Sequence, residues 1–310
     1  MRGERYQKGN GKPIWFKMNK VLVTGGLGFI FSHVVEYMVD KGYEVIVLDN
    51  LSEGSHPEIV NGTFKFYNVD VCSNRAHDII IFENPDYIIH AAAYSDVDGS
   101  ITNPIKVINN NFNATLSVFE AARSCKNLKK LVYISTDEVY GECQHKKKED
   151  EIIFPKNPYA LSKAFGSLLR LTYDNTYPEL KDKTAETRFC NVFGDRQDTR
   201  KILANMKQNN VIEVHNGGKG YREYLYVKNI PEAVELVMLK GDRTYNITLN
   251  EGYTVSELVE MVDKIKPIKT IVGNRPGMDM KYQMDNSRIM ELGWKPSYSF
   301  IKGLKEYLNA

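Results

Sequence analysis

Residues 21–33 read VLVTGGLGFIFSH and decide the fold of this chain. An apolar run of strand type leads into three glycines, Gly25, Gly26 and Gly28, and apolar residues resume behind them. Glycines at a strand-to-helix turn leave backbone amides and the amino end of the helix open to a phosphate group. The segment therefore predicts a phosphate-binding turn, although a glycine-rich turn taken alone is a weak signal.

Further apolar runs of strand length alternate with longer helical stretches along the chain. Strands that alternate with helices form right-handed crossovers, and the resulting parallel sheet is covered by helices on both faces. Ligands bind beyond the carboxyl ends of such strands, so we expect the loops that follow them to surround one crevice. The predicted buried strands cover residues 21–23, 45–48, 87–90, 131–135 and 187–192.

Asp49 closes the second predicted strand, about twenty residues after the glycines. A carboxylate at this point can accept hydrogen bonds from ribose hydroxyls and repels an additional 2′-phosphate, which favours NAD over NADP. One position departs from the usual spacing, because Phe31 stands where a third glycine normally lets the helix pack closely on the strand. We expect either that the helix lies slightly farther out or that the ring fills a local gap.

The composition excludes several classes of partner. The chain has 310 residues, 41 basic and 39 acidic, and this balance argues against nucleic acid or an anionic membrane while permitting a small anionic substrate. Its four cysteines are widely spaced, without a metal-binding pattern, and no secretory signal or apolar run of membrane length is present. We therefore expect a cytoplasmic protein with free thiols, no metal and no membrane partner.

The length and a break in the pattern predict two lobes. Residues 1–17 show neither a helical nor an alternating period and are interpreted as an N-terminal extension or a cloning remnant. Residues 18–193 form the predicted NAD-binding domain, to which residues 222–250 return, because strand and helix patterns reappear there. Residues 194–221 and 251–310 form the predicted second lobe.

Tyr159 and Lys163 lie four residues apart on a predicted helix that Asn157 opens, so the ammonium can lie beside the phenol. A phenol has a pKa of about 10 and acts as a base near neutral pH only if a neighbouring cation stabilises the phenolate. Ser135 and Thr136 end a predicted strand and supply a hydroxyl that can bind a substrate alcohol beside Tyr159. These features in this order indicate dehydrogenase chemistry.

Seven segments carry a resemblance that extends from residue 20 nearly to the carboxyl end. In order they are AAAYSDVDGSI, ISTDEVYG, YALSKA, RFCNVFG, YREYLYV, YNI and RPGMD. The chain resembles the extended short-chain dehydrogenase/reductase superfamily and, within it, the nucleotide-sugar 4,6-dehydratases of the dTDP-glucose type. The resemblance implies an α/β fold, a Rossmann-type doubly wound parallel sheet with a smaller α/β substrate-binding lobe, and a nucleotide-diphosphate sugar as substrate.

The resemblance also implies catalytic roles. Thr136, Tyr159 and Lys163 would form the dehydrogenase triad, Asp137 would be the general acid and Glu138 the general base. A 4,6-dehydratase takes a proton from carbon 5 and gives one to the carbon 6 hydroxyl, and one residue cannot easily do both. The product would be a 4-keto-6-deoxy sugar, with or without inversion at carbon 5.

Cofactor and substrate contacts are predicted at the strand ends and in the second lobe. For NAD they are Gly25, Gly28, Phe29, Ile30, Asp49, Asn50, Asp70, Val71, Ala91, Ala92, Tyr159 and Lys163. For the substrate they are Ser95, Asn191, Lys201, Arg222 and Arg275, of which the three cations match family positions that face the diphosphate.

The nucleobase region departs from the family pattern. Glu213 and His215 stand where a proline and an aromatic residue are usual, Asp195 replaces a proline, and Met278 replaces a histidine. These departures put dTDP-glucose in doubt and favour a UDP-sugar slightly, so UDP-glucose, UDP-N-acetylglucosamine and dTDP-glucose all stay open.

Other functions are compatible with the cofactor motifs. Related 4-epimerases lack both adjacent carboxyls, and UDP-glucuronate decarboxylases keep an equivalent of Glu138 without the acid, so Asp137 discriminates among the three. A catalytically silent NAD-sensing scaffold would be expected to have lost Tyr159 or Lys163. The helices predicted at residues 105–122 and 159–175 correspond to those that form dimers in the family, which implies a homodimer; if they only cover the sheet, the protein is a monomer.

Overall fold

A parallel sheet of seven strands lies at the centre of the fold. The computed structural model describes residues 4–9, 12–273 and 280–309. Its strands are β1 Glu4–Gly9, β2 Lys12–Lys17, β3 Lys20–Thr24, β4 Glu44–Asp49, β5 Lys65–Asn68, β6 Tyr87–His90, β7 Lys130–Thr136, β8 Thr184–Phe189, β9 Asn191–Phe193, β10 Val211–His215, β11 Tyr221–Tyr226, β12 Thr244–Ile247, β13 Gly252–Thr254 and β14 Lys269–Gly273. Its helices are α1 Phe29–Lys41, α2 Asn74–Glu83, α3 Val97–Thr102, α4 Pro104–Ser124, α5 Pro158–Thr176, α6 Ile202–Gln208, α7 Ile230–Lys240, α8 Val255–Asp263, α9 Ser287–Leu292 and α10 Phe300–Asn309.

The strand order places a ligand crevice at the glycine-rich turn. The central sheet runs β12-β8-β7-β6-β3-β4-β5, and every neighbouring pair in it is parallel. The chain moves outward from β3 to β5, then returns to the other side of β3 as β6 and continues in the opposite direction. The loops after β3 and β6 therefore diverge, and such a switch point is where open α/β sheets bind ligands.

Alternation along the strands builds one apolar core on each face of the sheet. Val21 and Val23 belong to the core that α1 and α7 cover, whereas Leu22 between them belongs to the core formed with α2 and α4. Successive side chains of a strand point to opposite faces, so continuous apolar runs are what a sheet covered on both sides requires. The predicted doubly wound α/β fold is confirmed.

The strands that the sequence did not predict lie in smaller sheets and at one edge of the central sheet. The predicted strand 187–192 is divided between β8 and β9, and β9 pairs with β11 in a separate sheet with β13. Lys65–Asn68 has only two apolar residues, Phe66 and Tyr67, between polar ends, and this short pattern did not predict edge strand β5. β1 and β2 pair antiparallel where no period was recognised, since main-chain hydrogen bonds form such a pair without apolar alternation. The two-lobe division stays a prediction.

Phe31 fills space inside the fold. It is buried and belongs to the same apolar core as Val34 and Val35 of its own helix. Close approach of the turn to β4 instead depends on Gly26, where a Cβ atom would lie 2.9 Å from Cγ1 of Val47. The second of the two expectations for Phe31 is therefore the one that the structure supports.

The described residues contain neither a membrane-spanning helix nor a metal-binding cluster of side chains. None of their helices is long and apolar enough to cross a membrane. Nor do the described parts of the chain bring three or more His, Cys, Asp or Glu side chains together as a metal site. The four cysteines are free thiols.

Candidate active site

The glycine-rich turn between β3 and α1 forms an open cradle. Gly25 has a φ of +67°, and a Cβ atom there would lie 2.7 Å from Cα of Ala92, so only glycine fits. Gly28 precedes α1 and provides no side-chain cap. The first amides of a helix lack partners within it, and with the helix dipole they attract an anion. The turn therefore fits a pyrophosphate, with Phe29 and Ile30 supplying amides.

Asp49 ends β4 beside this turn. Its carboxylate accepts hydrogen bonds from the amides of Leu27 (3.0 Å) and Leu51 (2.9 Å) and from the hydroxyl of Ser55 (3.0 Å). A carboxylate can accept about four hydrogen bonds, so capacity remains for a ribose hydroxyl. Neighbouring Asn50 is exposed. Asp49 ends β4, as the sequence predicts, and ribose binding by Asp49 stays a prediction.

The remaining predicted cofactor residues follow the next strands. Asp70 and Val71 come just after β5, and Ala91 and Ala92 just after β6. The amides of both alanines donate to the hydroxyl of Thr24, each at 3.2 Å, which ties the β6 loop to the end of β3. These residues thus lie at the carboxyl ends of β5 and β6, the two strands that flank β3 and β4 in the sheet. Together with the cradle, they fit a dinucleotide.

Thr136, Asp137 and Glu138 lie at the end of β7, where a short 3₁₀ helix, Asp137–Tyr140, begins. The hydroxyl of Thr136 donates to Oδ1 of Asp137 at 3.1 Å, and Asp137 is only 3% exposed. Burial, reinforced by the charge of Glu138, raises the pKa of Asp137 to about 7, against opposing effects of Arg222 and Thr136. Asp137 therefore exchanges a proton near neutral pH.

Helix α5 brings Tyr159 to these carboxyls. The side chain of Asn157 caps the helix, and the amide of Tyr159 donates to Oγ of Ser100 at 3.2 Å. The pKa of Tyr159 is raised by burial and then by the negative charges of Glu138 and Asp137, while hydrogen bonding with Thr136 opposes the rise. The three predicted groups after β7 and Tyr159 are thus brought together.

The surroundings of the Lys163 side chain differ from those that the sequence predicts. Its Nζ atom lies 4.7 Å from the ring centroid of Tyr133, and burial lowers its pKa to about 7, although Glu186 opposes this. We expected the ammonium to lower the pKa of Tyr159, yet the structure gives a raised value. The reason is that burial and the charges of Glu138 and Asp137 raise this pKa, while burial lowers the pKa of Lys163 to about 7 and so reduces its charge near neutral pH.

The residues predicted to bind the substrate lie on several different elements and loops. Asn191 begins β9, opposite Tyr224 of β11. Arg222 of β11 stacks on the ring of Tyr282 at 4.5 Å, and its charge reaches Asp137. Lys201 is an exposed residue at the start of α6, and Ser95 is exposed in the loop after β6. Arg275 and Met278 lie outside the described residues.

Three of the departures from the family pattern are described by the structure, two of them on β10 and one in the loop after β9. Glu213 and His215 occupy β10, with Oε1 and Nδ1 3.9 Å apart. The carbonyl of Asp195 accepts a hydrogen bond from Nε2 of His33 at 3.1 Å, and its carboxylate lies 3.4 Å from Nζ of Lys207. Asp195 thus links the loop after β9 to α1.

Three supporting residues of the site escaped prediction. Asn157 contacts Glu138, and Ser100 holds the amide of Tyr159. Asn157 was recognised as a helix start, but nothing in the sequence spacing shows a contact with a residue nineteen positions earlier. Buried Glu186, which raises the pKa of Lys163, lies one residue before the predicted strand 187–192, and nothing in the sequence links it to Lys163.

Comparison with known protein families gives one consistent result. The family model described as "NAD dependent epimerase/dehydratase family" matches residues 21–248. A trifunctional UDP-glucose 4,6-dehydratase/UDP-4-keto-6-deoxy-D-glucose 3,5-epimerase/UDP-4-keto-L-rhamnose-reductase of Arabidopsis thaliana is 30% identical over 93% of this chain and 46% of that protein. This chain therefore spans about half the length of such relatives. The dTDP-glucose 4,6-dehydratase of Salmonella typhimurium is 30% identical over 93% of this chain and 91% of its own length.

Solved structures show the same likeness. A UDP-glucose 4-epimerase of Thermotoga maritima, with UDP-glucose, has a TM-score of 0.87 at 30% identity and covers 94% of this chain and 97% of its own. A dTDP-glucose 4,6-dehydratase of Streptomyces venezuelae, with NAD bound, has a TM-score of 0.85 at 28% identity, over 94% and 96% of the two chains. The likeness includes an NAD-bound enzyme, and the cofactor of this fold is NAD.

Proposed function

The chain belongs to the NAD dependent epimerase/dehydratase family, and from that premise we propose that it is a nucleotide-sugar 4,6-dehydratase, a hydro-lyase that keeps NAD tightly bound. The observation that carries the proposal is Asp137, a buried acid with a pKa raised to about 7 beside Glu138 and Tyr159. Oxidation and return of a hydride need no such acid, whereas loss of water does.

The first half of the reaction oxidises carbon 4 of the sugar. When bound, NAD supplies a positively charged ring that accepts the hydride from carbon 4 and later returns it to carbon 6. Tyr159 accepts the proton of the carbon 4 hydroxyl, and Thr136 binds that hydroxyl. Because the pKa of Tyr159 is raised in the protein, this step needs the protonated form of Lys163.

The second half removes water. The new ketone acidifies carbon 5, and Glu138 takes the carbon 5 proton while the electron pair of that bond forms the carbon 5–carbon 6 double bond. Asp137, protonated below a pKa of about 7, gives its proton to the carbon 6 hydroxyl, which leaves as water. Once the hydride has returned to carbon 6, protonation of carbon 5 completes a 4-keto-6-deoxy sugar, and the face from which this proton arrives decides whether carbon 5 is inverted.

The substrate proposed is a UDP- or dTDP-linked hexose: UDP-N-acetylglucosamine, UDP-glucose or dTDP-glucose. Arg222 and Lys201 would bind the diphosphate with Arg275, and guanidinium groups suit phosphate oxygens through paired hydrogen bonds. Relatives named for both UDP-glucose and dTDP-glucose dehydration support this range. Such a substrate and the four free cysteines accord with a cytoplasmic location.

Product analysis tests the reaction. The purified protein is incubated with NAD and, separately, UDP-N-acetylglucosamine, UDP-glucose and dTDP-glucose, and products are followed by mass spectrometry and proton NMR. Loss of one water with a new carbon 6 methyl group is expected from one of them. An unchanged mass with an altered hydroxyl configuration would replace the proposal by 4-epimerisation, which the likeness to UDP-glucose 4-epimerase favours as second candidate.

A homodimer through α4 and α5 is the second part of the proposal. The two helices pack with Phe112 stacked on Phe165, the ring centroids 3.9 Å apart. They also carry leucines that are 41% to 57% exposed: Leu116, Leu161, Leu168 and Leu171. An apolar surface of this kind marks an interaction site. Leu168→Glu should yield monomers by sedimentation, whereas Leu239→Glu on α7, across the sheet, should not; unchanged mass in both would refute this interface.

A further inference from the structure

One side chain joins the proposed base to the helix that carries Tyr159. Oδ1 of Asn157 accepts a hydrogen bond from the amide of Ala160 at 2.7 Å, and Nδ2 of Asn157 donates to Oε2 of Glu138 at 2.7 Å. A backbone N–H can only donate, so Oδ1 must face Ala160 and the NH₂ group must face Glu138. The orientation of the amide is thereby fixed.

The side chain is placed where the base needs support. Glu138 lies beside Asp137 on the 3₁₀ helix and acts electrostatically on Tyr159 of α5, and Arg222 of β11 acts on Asp137. Asp137 and Tyr159 are both acidic neighbours of Glu138, whereas the NH₂ group of Asn157 can only donate a hydrogen bond to the Glu138 carboxylate. Hydrogen bonds to a charged acceptor are about twice as strong as neutral ones.

We propose that Asn157 is a positioning residue for the general base: its NH₂ group holds Glu138 as an oriented carboxylate, and its carbonyl sets the start of the helix that presents Tyr159. The inference rests on the proposed 4,6-dehydratase function and adds a residue to that site. The Asn157 amide would thereby couple the position of the base, which acts on carbon 5, to the start of the helix that carries the phenol acting on carbon 4.

Helix capping alone does not require asparagine here. Ser and Asp cap helices about as well as Asn does. The chain holds a matched case in Asn103, which also precedes a proline, also has a φ of −137°, and accepts a hydrogen bond from the amide of Lys106 at 3.3 Å. Asn103 is exposed, and its cap starts α4. A substitution at Asn103 therefore shows the effect of losing a helix cap alone, without loss of a contact with Glu138.

The test compares Asn157→Ser, Asn157→Asp and the control Asn103→Ser in the full-length, NAD-containing protein. The substrates are dTDP-glucose, UDP-glucose and UDP-N-acetylglucosamine, and two rates are measured separately: solvent-deuterium incorporation at carbon 5 and ketone formation at carbon 4. Asn157→Ser keeps a capping oxygen and removes the donor, so deuterium incorporation should slow by about 10- to 100-fold with little change in ketone formation.

Asn157→Asp should slow deuterium incorporation further. It should also shift the pH dependence of this rate to higher pH, because two carboxylates in contact must share a proton. Asn103→Ser should change neither rate. Wild-type deuterium incorporation in Asn157→Ser, or equal slowing of both rates, would overturn this inference while leaving the dehydratase in place. A wild-type protein that forms no 6-deoxy sugar from any of the three substrates would overturn both the proposed function and this role.

Discussion

Replacing Asp137 by Asn should stabilise the protein while it removes the proposed acid. The pKa of Asp137 is about 7 in the folded protein, against an ordinary value of 3.8. At 1.36 kcal/mol per pH unit, this difference costs the folded state about 4 kcal/mol once the pH exceeds both values. Asn has nearly the same shape and no charge to bury, so Asp137→Asn escapes that cost.

The sign follows from proton linkage. A folded-state pKa above the unfolded one means that the stability contributed by the neutral acid is full below about pH 4 and is lost as the pH rises to about 7. The advantage of Asp137→Asn should therefore be small near pH 4, grow by about 1.4 kcal/mol per pH unit, and level off above about pH 7. Any change in hydrogen bonding of the new amide adds a constant that does not depend on pH.

Urea unfolding of wild type and Asp137→Asn across this range, at matched NAD content, measures the difference. Water loss by the variant, followed by mass spectrometry, should fall by about 100-fold or more, the usual contribution of a general acid. A stability difference that stays flat between about pH 4 and pH 8 would refute the assignment of a buried, neutral Asp137. Full dehydratase activity in a correctly folded variant would refute its role as acid.

Three further substitutions test other parts of the site. Tyr159→Phe should abolish keto-sugar formation while bound NAD, assayed after denaturation, is retained; persistent turnover would contradict the role of the phenol. Gly25→Ala should cost roughly 1–3 kcal/mol of backbone strain, because its φ is +67° and the new Cβ would lie 2.7 Å from Ala92 Cα, and the protein should lose NAD during gel filtration; retained NAD would contradict the cradle. Gly166→Ala would place a Cβ 2.1 Å from Cζ of Tyr133, so unfolding should require about 1–3 kcal/mol less, and an unchanged denaturation midpoint would contradict the packing of this ring.

Much of the fold could be predicted because its signals are local. The alternation that buries Leu22 on one face and Val23 on the other is written in consecutive residues, and so are the glycines at the turn. The helices predicted at residues 105–122 and 159–175 are α4 and α5, each within two residues at either end. Edge strand β5 and the division between β8 and β9 escaped prediction because they depend on which strand lies alongside.

The sequence by itself determined the parallel α/β sheet, the glycine-rich turn, the helical spacing of Tyr159 and Lys163, and the order of the segments that resemble a dehydratase. These signals lie in consecutive residues or in residues about four apart, so they act between near neighbours. Only the tertiary structure decided that the pKa of Tyr159 is raised, that burial raises the pKa of Asp137 to about 7, and that Asn157 touches Glu138. The physical reason is that burial and charge act through space. Packing brings together side chains from parts of the chain that no sequence period connects.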